Sequence, residues 1–200
     1  MSVGNRIRNS FYPMYAIRLR VDTLDGIRNA LGLVQVYTGD GKGKTTAALG
    51  LAMRASGRGL NVIMIQFMKP DAGYGEQIAA KQLSDFTILP MGPKHFCGPE
   101  PTAEDVESVA KALDKSREVL TSGKYDLVIL DEINNALRYG LTKPDEVVNI
   151  LKERTPHTEV VLTGRRVPQE IIDYADLVTE MRLIKHPFDK GIGARVGIEY

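Results

Sequence analysis

The sequence predicts one α/β domain, a mainly parallel sheet of about six strands with helices on both faces. Three observations carry that prediction. Short apolar runs alternate with longer helical patterns from residue 33 onward. Several of the runs are apolar without the in–out alternation of a half-exposed strand, as expected for strands covered on both faces. A glycine- and lysine-rich loop, "TGDGKGKTT" at 38–46, lies between the first run and the first helix.

Taken in order, the strands are expected at "LVQVY" (33–37), "NVIMIQF" (61–67), "FTILPM" (86–91), "DLVILD" (126–131), "TEVVLT" (158–163) and "DLVTEMRLI" (176–184). Helices are expected at 45–56, 76–84, 102–122, 134–139, 144–154 and 168–175. For the longest, Thr102 is the expected N-cap, with Glu104 and Asp105 in the first turn. Its buried stripe is expected from Val106, Val109, Ala110, Leu113 and Leu120, and Gly123 should close its C-terminus. Pro144 opens the next helix but one, at a position where a missing N–H is tolerated. Alternation of this kind implies a doubly wound sheet with right-handed crossovers, and ligands in such sheets bind beyond the carboxyl ends of the strands.

Composition narrows the partners. A chain of 200 residues suits one well-buried domain, expected over 31–200, with 1–30 as an N-terminal arm or helix. That first segment carries Arg6, Arg8, Arg18, Arg20 and Arg28 against Asp22 and Asp25. It lacks a secretory signal's apolar core; a transit peptide ranks below a helix docked on the domain surface. Net charge of +1 gives no field for nucleic acid or a lipid surface, and no apolar run is long enough for a membrane span. A single cysteine, Cys97, excludes an intramolecular disulfide and suits the cytoplasm. His95, His157 and His186 show no metal-ligand spacing.

The loop at 38–46 can carry chemistry. Glycines at 39, 41 and 43 let backbone N–H groups converge on an anion, Lys44 reaches phosphate oxygens, and the Thr45 hydroxyl suits Mg²⁺. The general pattern wants glycine at 38, where this chain has Thr38. A preceding strand and a following helix supply the context the pattern needs and place the fold among phosphate-loop (RecA-like) domains. "LVILDEINNAL" (127–137) ends a strand in Asp131 and Glu132, and Asp131 is expected to support Mg²⁺. Arg54, on a helix otherwise almost wholly apolar, should need a partner, either a carboxylate or a phosphate. Arg165 and Arg166 end another strand at the same edge of the sheet.

These segments, with "VIMIQFMK", "YGEQ", "LTGR" and the ending "YADLVTEMRLIKHPFDKGIGARVGIEY", resemble the ATP:corrinoid adenosyltransferases of the cobalamin pathway from about Leu33 to Tyr200. The resemblance implies that reduced corrinoid, Co(I), attacks the 5′ carbon of ATP and releases inorganic triphosphate. It implies a nucleotide lying in the reverse of the usual sense, with its terminal phosphate deep in the loop. Transferred by position, Thr38, Gly39, Asp40, Gly41, Lys42, Gly43, Lys44, Thr45 and Thr46 bind nucleotide together with Arg54 and Arg165. Lys44, Glu132 and Arg165 are the catalytic candidates, Thr45 and Asp131 the metal candidates, and Phe96 and Glu132 the corrinoid contacts. Where one branch of the family has an aromatic pair to displace the lower cobalt ligand, this chain offers Phe96, with Gly98 at the second position. A homodimer and a flavoprotein electron donor follow from the resemblance as well. A phosphoryl-transfer ATPase or kinase of the same fold is the alternative, and a carrier without turnover the third reading.

Overall fold

A computed structural model describes residues 23–95 and 100–200. Six strands form a single all-parallel sheet: β1 (Val34–Thr38), β2 (Val62–Gln66), β3 (Phe86–Pro90), β4 (Leu127–Asp131), β5 (Glu159–Thr163) and β6 (Leu177–Glu180). Their spatial order is β3-β2-β4-β5-β1-β6. The helices are α1 (Leu24–Arg28), α2 (Lys44–Ser56), α3 (Gly75–Ala80), α4 (Ala103–Thr121), α5 (Ile133–Arg138), α6 (Pro144–Lys152) and α7 (Gln169–Tyr174).

Strand periodicity sorts the core into two layers, because successive side chains leave a strand on opposite faces. On one face Ile63, Ile65, Val128, Leu130, Val160 and Leu162 pack against Val109, Leu113 and Leu120 of α4 and Ile150 and Leu151 of α6. On the other, Val62, Met64, Leu127, Ile129 and Val161 meet Ala48, Ala52 and Ala55 of α2. Alanines on that face let α2 approach the sheet closely, which brings its N-terminus and the loop before it over the strand ends.

The long helix begins as expected. The Thr102 hydroxyl accepts the Asp105 N–H at 3.2 Å, and Asp105 accepts the Thr102 N–H at 2.7 Å. Its stripe is rotated from the expected one. Val106 is 51% exposed and Ala110 lies outward, while Ala112, Ser116 and Val119 turn inward. Ser116 is tolerated there because its hydroxyl is consumed by the Ala112 carbonyl at 2.6 Å, so polarity alone was a poor guide to its direction.

At the other edge, β6 stops at Glu180, short of the expected 184. Beyond it the chain turns across the loop after β1: the Met181 N–H donates to the Thr38 carbonyl at 2.8 Å, and the Gly41 N–H to the Met181 carbonyl at 2.7 Å. Of the predicted N-terminal arm, the described part ends in α1, where Arg28 clasps Asp126 through Nε at 2.8 Å and Nη2 at 3.2 Å. That contact lies just before β4, at the end of the sheet away from the loop.

Candidate functional site

The strand order decides which side chains meet. β5 lies between β4 and β1, so the residues ending β4 and β5 lie beside the loop that follows β1. The loop itself needs glycine twice for conformation: Gly39 has φ 99° and Gly43 φ 118°, both in the left-handed region. Gly41 is required for another reason. A Cβ there would stand 2.7 Å from the Met181 carbonyl oxygen, because the segment after β6 presses on the loop.

Lys44, the first residue of α2, is 7% exposed and folds back over the loop. Its ammonium donates to the Gly39 carbonyl at 2.9 Å and the Gly41 carbonyl at 2.6 Å. Burial pulls its pKa below the ordinary lysine value, with Glu132 opposing. Next to it, the Thr45 hydroxyl donates to Asp131 Oδ1 at 2.8 Å, and Thr163 donates to the same oxygen at 2.8 Å. Asp131 is fully buried, and its Oδ2 accepts no hydrogen bond. A hydroxyl and a buried carboxylate with a free oxygen form the oxygen-only donor set that Mg²⁺ takes, so these residues fit the ion.

Glu132 follows in a left-handed conformation, φ 64°, unusual for a residue with a side chain. Its N–H donates to the Thr163 hydroxyl at 2.9 Å. Burial, reinforced by the charge of Asp131, pushes its pKa up to about 7, against the pull of Lys69, Lys44 and Arg165. Backbone strain of this kind costs about 1–3 kcal/mol and is retained where a side chain must be aimed. Here it turns the carboxyl into a cavity of about 540 Å³.

That cavity gathers most of the sequence candidates and adds others. Gly41, Lys42, Gly43, Lys44, Thr45 and Thr46 form its floor, and Glu132 and Arg165 its side. Thr38, Gly39 and Asp40 belong to the loop but not to the cavity wall. Thr38 Oγ1 instead accepts the Val167 N–H at 3.4 Å, and Asp40 pairs with Arg165 at 3.6 Å. Arg54 departs from expectation. It stands in the last turn of α2, solvent-exposed, ten residues or about 15 Å along the axis from Lys44, and does not line the cavity. The premise that it is buried and in need of a partner is corrected: the surface of α2 there is open. Phe96, with Cys97 and Gly98, lies outside the described residues.

Two walls were not assigned from sequence. Lys69 and Glu76 approach from the segment after β2 and from α3, their charged atoms 2.9 Å apart. Burial alone would lower the Lys69 pKa, but Asp131 and Glu76 outweigh it, and the net shift is upward. The C-terminal residues Ile198, Glu199 and Tyr200 cover the opposite side. Glu199 is clasped by Arg195 and takes the Lys42 ammonium at 2.8 Å. Tyr200 meets Tyr74 edge to face with centroids 6.3 Å apart. "YGEQ" and "GIEY" were visible as motifs, yet only folding shows that they face one cavity.

Among the described residues no helix is long and apolar enough to cross a membrane. Residues 30–200 match the family described as ATP:corrinoid adenosyltransferase BtuR/CobO/CobP. The corrinoid adenosyltransferase of a Sinorhizobium species is 42% identical over 172 residues, spanning 84% of this chain and 80% of that protein. The corrinoid adenosyltransferase CobA of Salmonella typhimurium is 36% identical over 171 residues, spanning 84% and 86%. The corrinoid adenosyltransferase of Escherichia coli K12 is equally similar, at 36% over 171 residues. A match over residues 30–200, including the residues that build the cavity, makes this chain a member of the ATP:corrinoid adenosyltransferase family.

Proposed function

We propose that this protein transfers the 5′-deoxyadenosyl group of ATP to the Co(I) centre of a corrinoid and releases inorganic triphosphate. The observation that supports this most directly is the charge arrangement at the cavity floor: a glycine nest, the buried Lys44 and the Thr45–Asp131 pair converge where a polyphosphate would lie. In the proposed reaction the cobalt electron pair forms the Co–C5′ bond. The C5′–O5′ bond breaks, and its pair leaves on the triphosphate oxygen. The nucleophile has no proton to lose, so no general base is needed. What the step needs is stabilisation of charge growing on the leaving group, supplied by loop N–H groups and Lys44 aimed in advance. Mg²⁺ held by Thr45 and supported by Asp131 would add Lewis-acid stabilisation of the same phosphates.

Glu132 and Arg165 border the space above the loop, and we assign Glu132 to the ribose and corrinoid side and Arg165 to the phosphates. Phe96 is assigned to the lower face of the corrinoid. A homodimer, a flavoprotein donor for cobalt reduction and a cytoplasmic site of action complete the reading. Incubation with ATP, Mg²⁺ and chemically reduced cobalamin should give a light-sensitive adenosyl product and triphosphate in equal amounts. Release of ADP and phosphate instead refutes it. One observation favours that second reading: Glu132, held near neutrality, suits a base that activates water or an acceptor hydroxyl. Nucleotide turnover without corrinoid would decide for it.

A further inference from the structure

The two oxygens of Asp131 have different surroundings. Oδ1 is saturated by Thr45 and Thr163. Oδ2 accepts no hydrogen bond and has only the Lys69 ammonium near it, at 3.4 Å. A charge-assisted hydrogen bond closes to about 2.7–2.9 Å, so this is a loose hold. The close partner of Lys69 is Glu76, at 2.9 Å. Glu76 is fixed in turn: its Oε1 accepts Gln66 Nε2 at 3.1 Å, and the buried Gln66 is locked by Gln77 at 2.9 Å. Tyr74 lies under the ammonium with its ring centroid 5.8 Å away. Lys69 therefore has a firm seat on α3 and a light grip on the buried carboxylate beneath Thr45 of the cavity floor.

We propose that Lys69 is a positioning residue whose ammonium neutralises Asp131 in the empty site and withdraws onto Glu76 when a divalent cation enters with the nucleotide. The proposal rests on Thr45 and Asp131 as the supports of that cation. Two positive centres compete for Oδ2, so a cation arriving alone must displace Lys69 unaided. One arriving with phosphates brings its own oxygens and compensating charge. The lysine thereby ties cation binding to nucleotide binding, and the seat on Glu76 makes the exchange reversible.

The test uses Mn²⁺ in place of Mg²⁺, with free ion counted by electron paramagnetic resonance in the nucleotide-free full-length protein. Lys69→Met should tighten Mn²⁺ binding by about tenfold, because a repelling charge is gone. Glu76→Gln should weaken it by about threefold, because Lys69 loses its seat and leans on Asp131. Opposite signs are the signature. A structural role in holding the cavity together would weaken binding in both. Should Lys69→Met fail to fold, Glu76→Gln still decides, since unchanged or tighter binding there overturns the proposal. Asp131→Asn should abolish binding. If it does not, the cation is held elsewhere and the proposal falls with that assignment. Asp131-dependent Mn²⁺ binding in a protein that makes no adenosyl product would instead refute the proposed reaction and leave Lys69 its role.

Discussion

Replacing Lys44 by alanine separates the two tasks of the loop lysine. The ammonium is nearly covered and donates to the Gly39 and Gly41 carbonyls. Two hydrogen bonds from a charged donor contribute about 1.5–3 kcal/mol each. Against them stands the burial that holds its pKa below the free value, so the net loss of fold stability should be small, within about 1 kcal/mol. The leaving group is another matter. In the proposed reaction, a triphosphate separating from C5′ gains charge on the oxygen it takes with it, and loss of one preorganised donor typically costs about 2–4 kcal/mol in the barrier. At about 1.4 kcal/mol per decade, turnover should fall roughly 30- to 800-fold. The assay is formation of adenosylcobalamin from chemically reduced cobalamin at saturating ATP, with urea denaturation run in parallel. Turnover within threefold of wild type would refute the assignment of Lys44. So would a loss of turnover matched by loss of the folded state.

The other predictions test separate parts of the site. Glu132 holds its proton longer in the folded chain than in the unfolded one. In chelator and without nucleotide, its contribution is full below about pH 4.5 and is lost as pH rises toward 7. Glu132→Gln should remove that slope, gaining on the order of 3 kcal/mol over wild type at pH 8 by urea denaturation; parallel pH curves would contradict the buried carboxyl. Glu199→Gln should remove the ion pair that holds Lys42 to the C-terminal tail and tighten triphosphate binding about two- to threefold by calorimetry, with unchanged affinity counting against the contact. Gly41→Ala should cost about 1–3 kcal/mol through its clash with the Met181 carbonyl. Gly50→Ala, with open space around it in α2, should stabilise by about 0.5–1 kcal/mol in the same melts, and equal effects would deny the close approach. Phe96→Ala should slow product formation from Co(II) with a reductant more than from preformed Co(I), and equal loss with both removes Phe96 from cobalt activation.

The sheet was legible because its six strands carry short apolar runs between turn signals, and buried parallel strands leave that mark in any order along the chain. Spatial order left no such mark; nothing local in "EVVLT" announces that it lies between "LVILD" and "VQVYT". The same limit explains the site. Gly39, Gly43, Lys44 and Thr45 lie within seven consecutive positions at the loop–α2 junction, so their spacing could be read directly from the sequence. Lys69 and Glu76, seven residues apart after β2, and Glu199 in the tail lie far from the loop in sequence, and only the strand order and the path of the tail bring them to one cavity. Arg54 misled because helix composition was taken for burial. Met53 beside it is 69% exposed, so the end of α2 is a surface despite its apolar letters. β6 was overestimated because "MRLI" continues the apolar run, while the Gly41 N–H captures the Met181 carbonyl and draws the chain off the sheet.

The pocket proposed for a highly charged anion must hold its fold before the anion binds, and the ion pairs around it meet that need. Lys42 is held by Glu199, Lys69 by Glu76 and Asp131, and Arg165 by Asp40, so these three cations each have a carboxylate partner. Lys44 has loop carbonyls in that place. The exposed pairs are weak, because water screens them and long side chains lose entropy in holding one geometry. Their disruption therefore subtracts little from the attraction of a polyphosphate. Neutral carbonyls hold Lys44 without cancelling its charge, so the cation nearest the loop meets an anion at full strength. The acids that release their partners, Glu199 and Asp40, lie on the tail and the loop, where they can turn toward solvent, while Glu76 on α3 keeps Lys69. Asp131 cannot turn, being buried, and is the one carboxylate whose released charge needs a new cation. Polyphosphate binding and divalent-cation binding are then two halves of one exchange, and phosphate offered without a divalent ion should bind far more weakly than the pair.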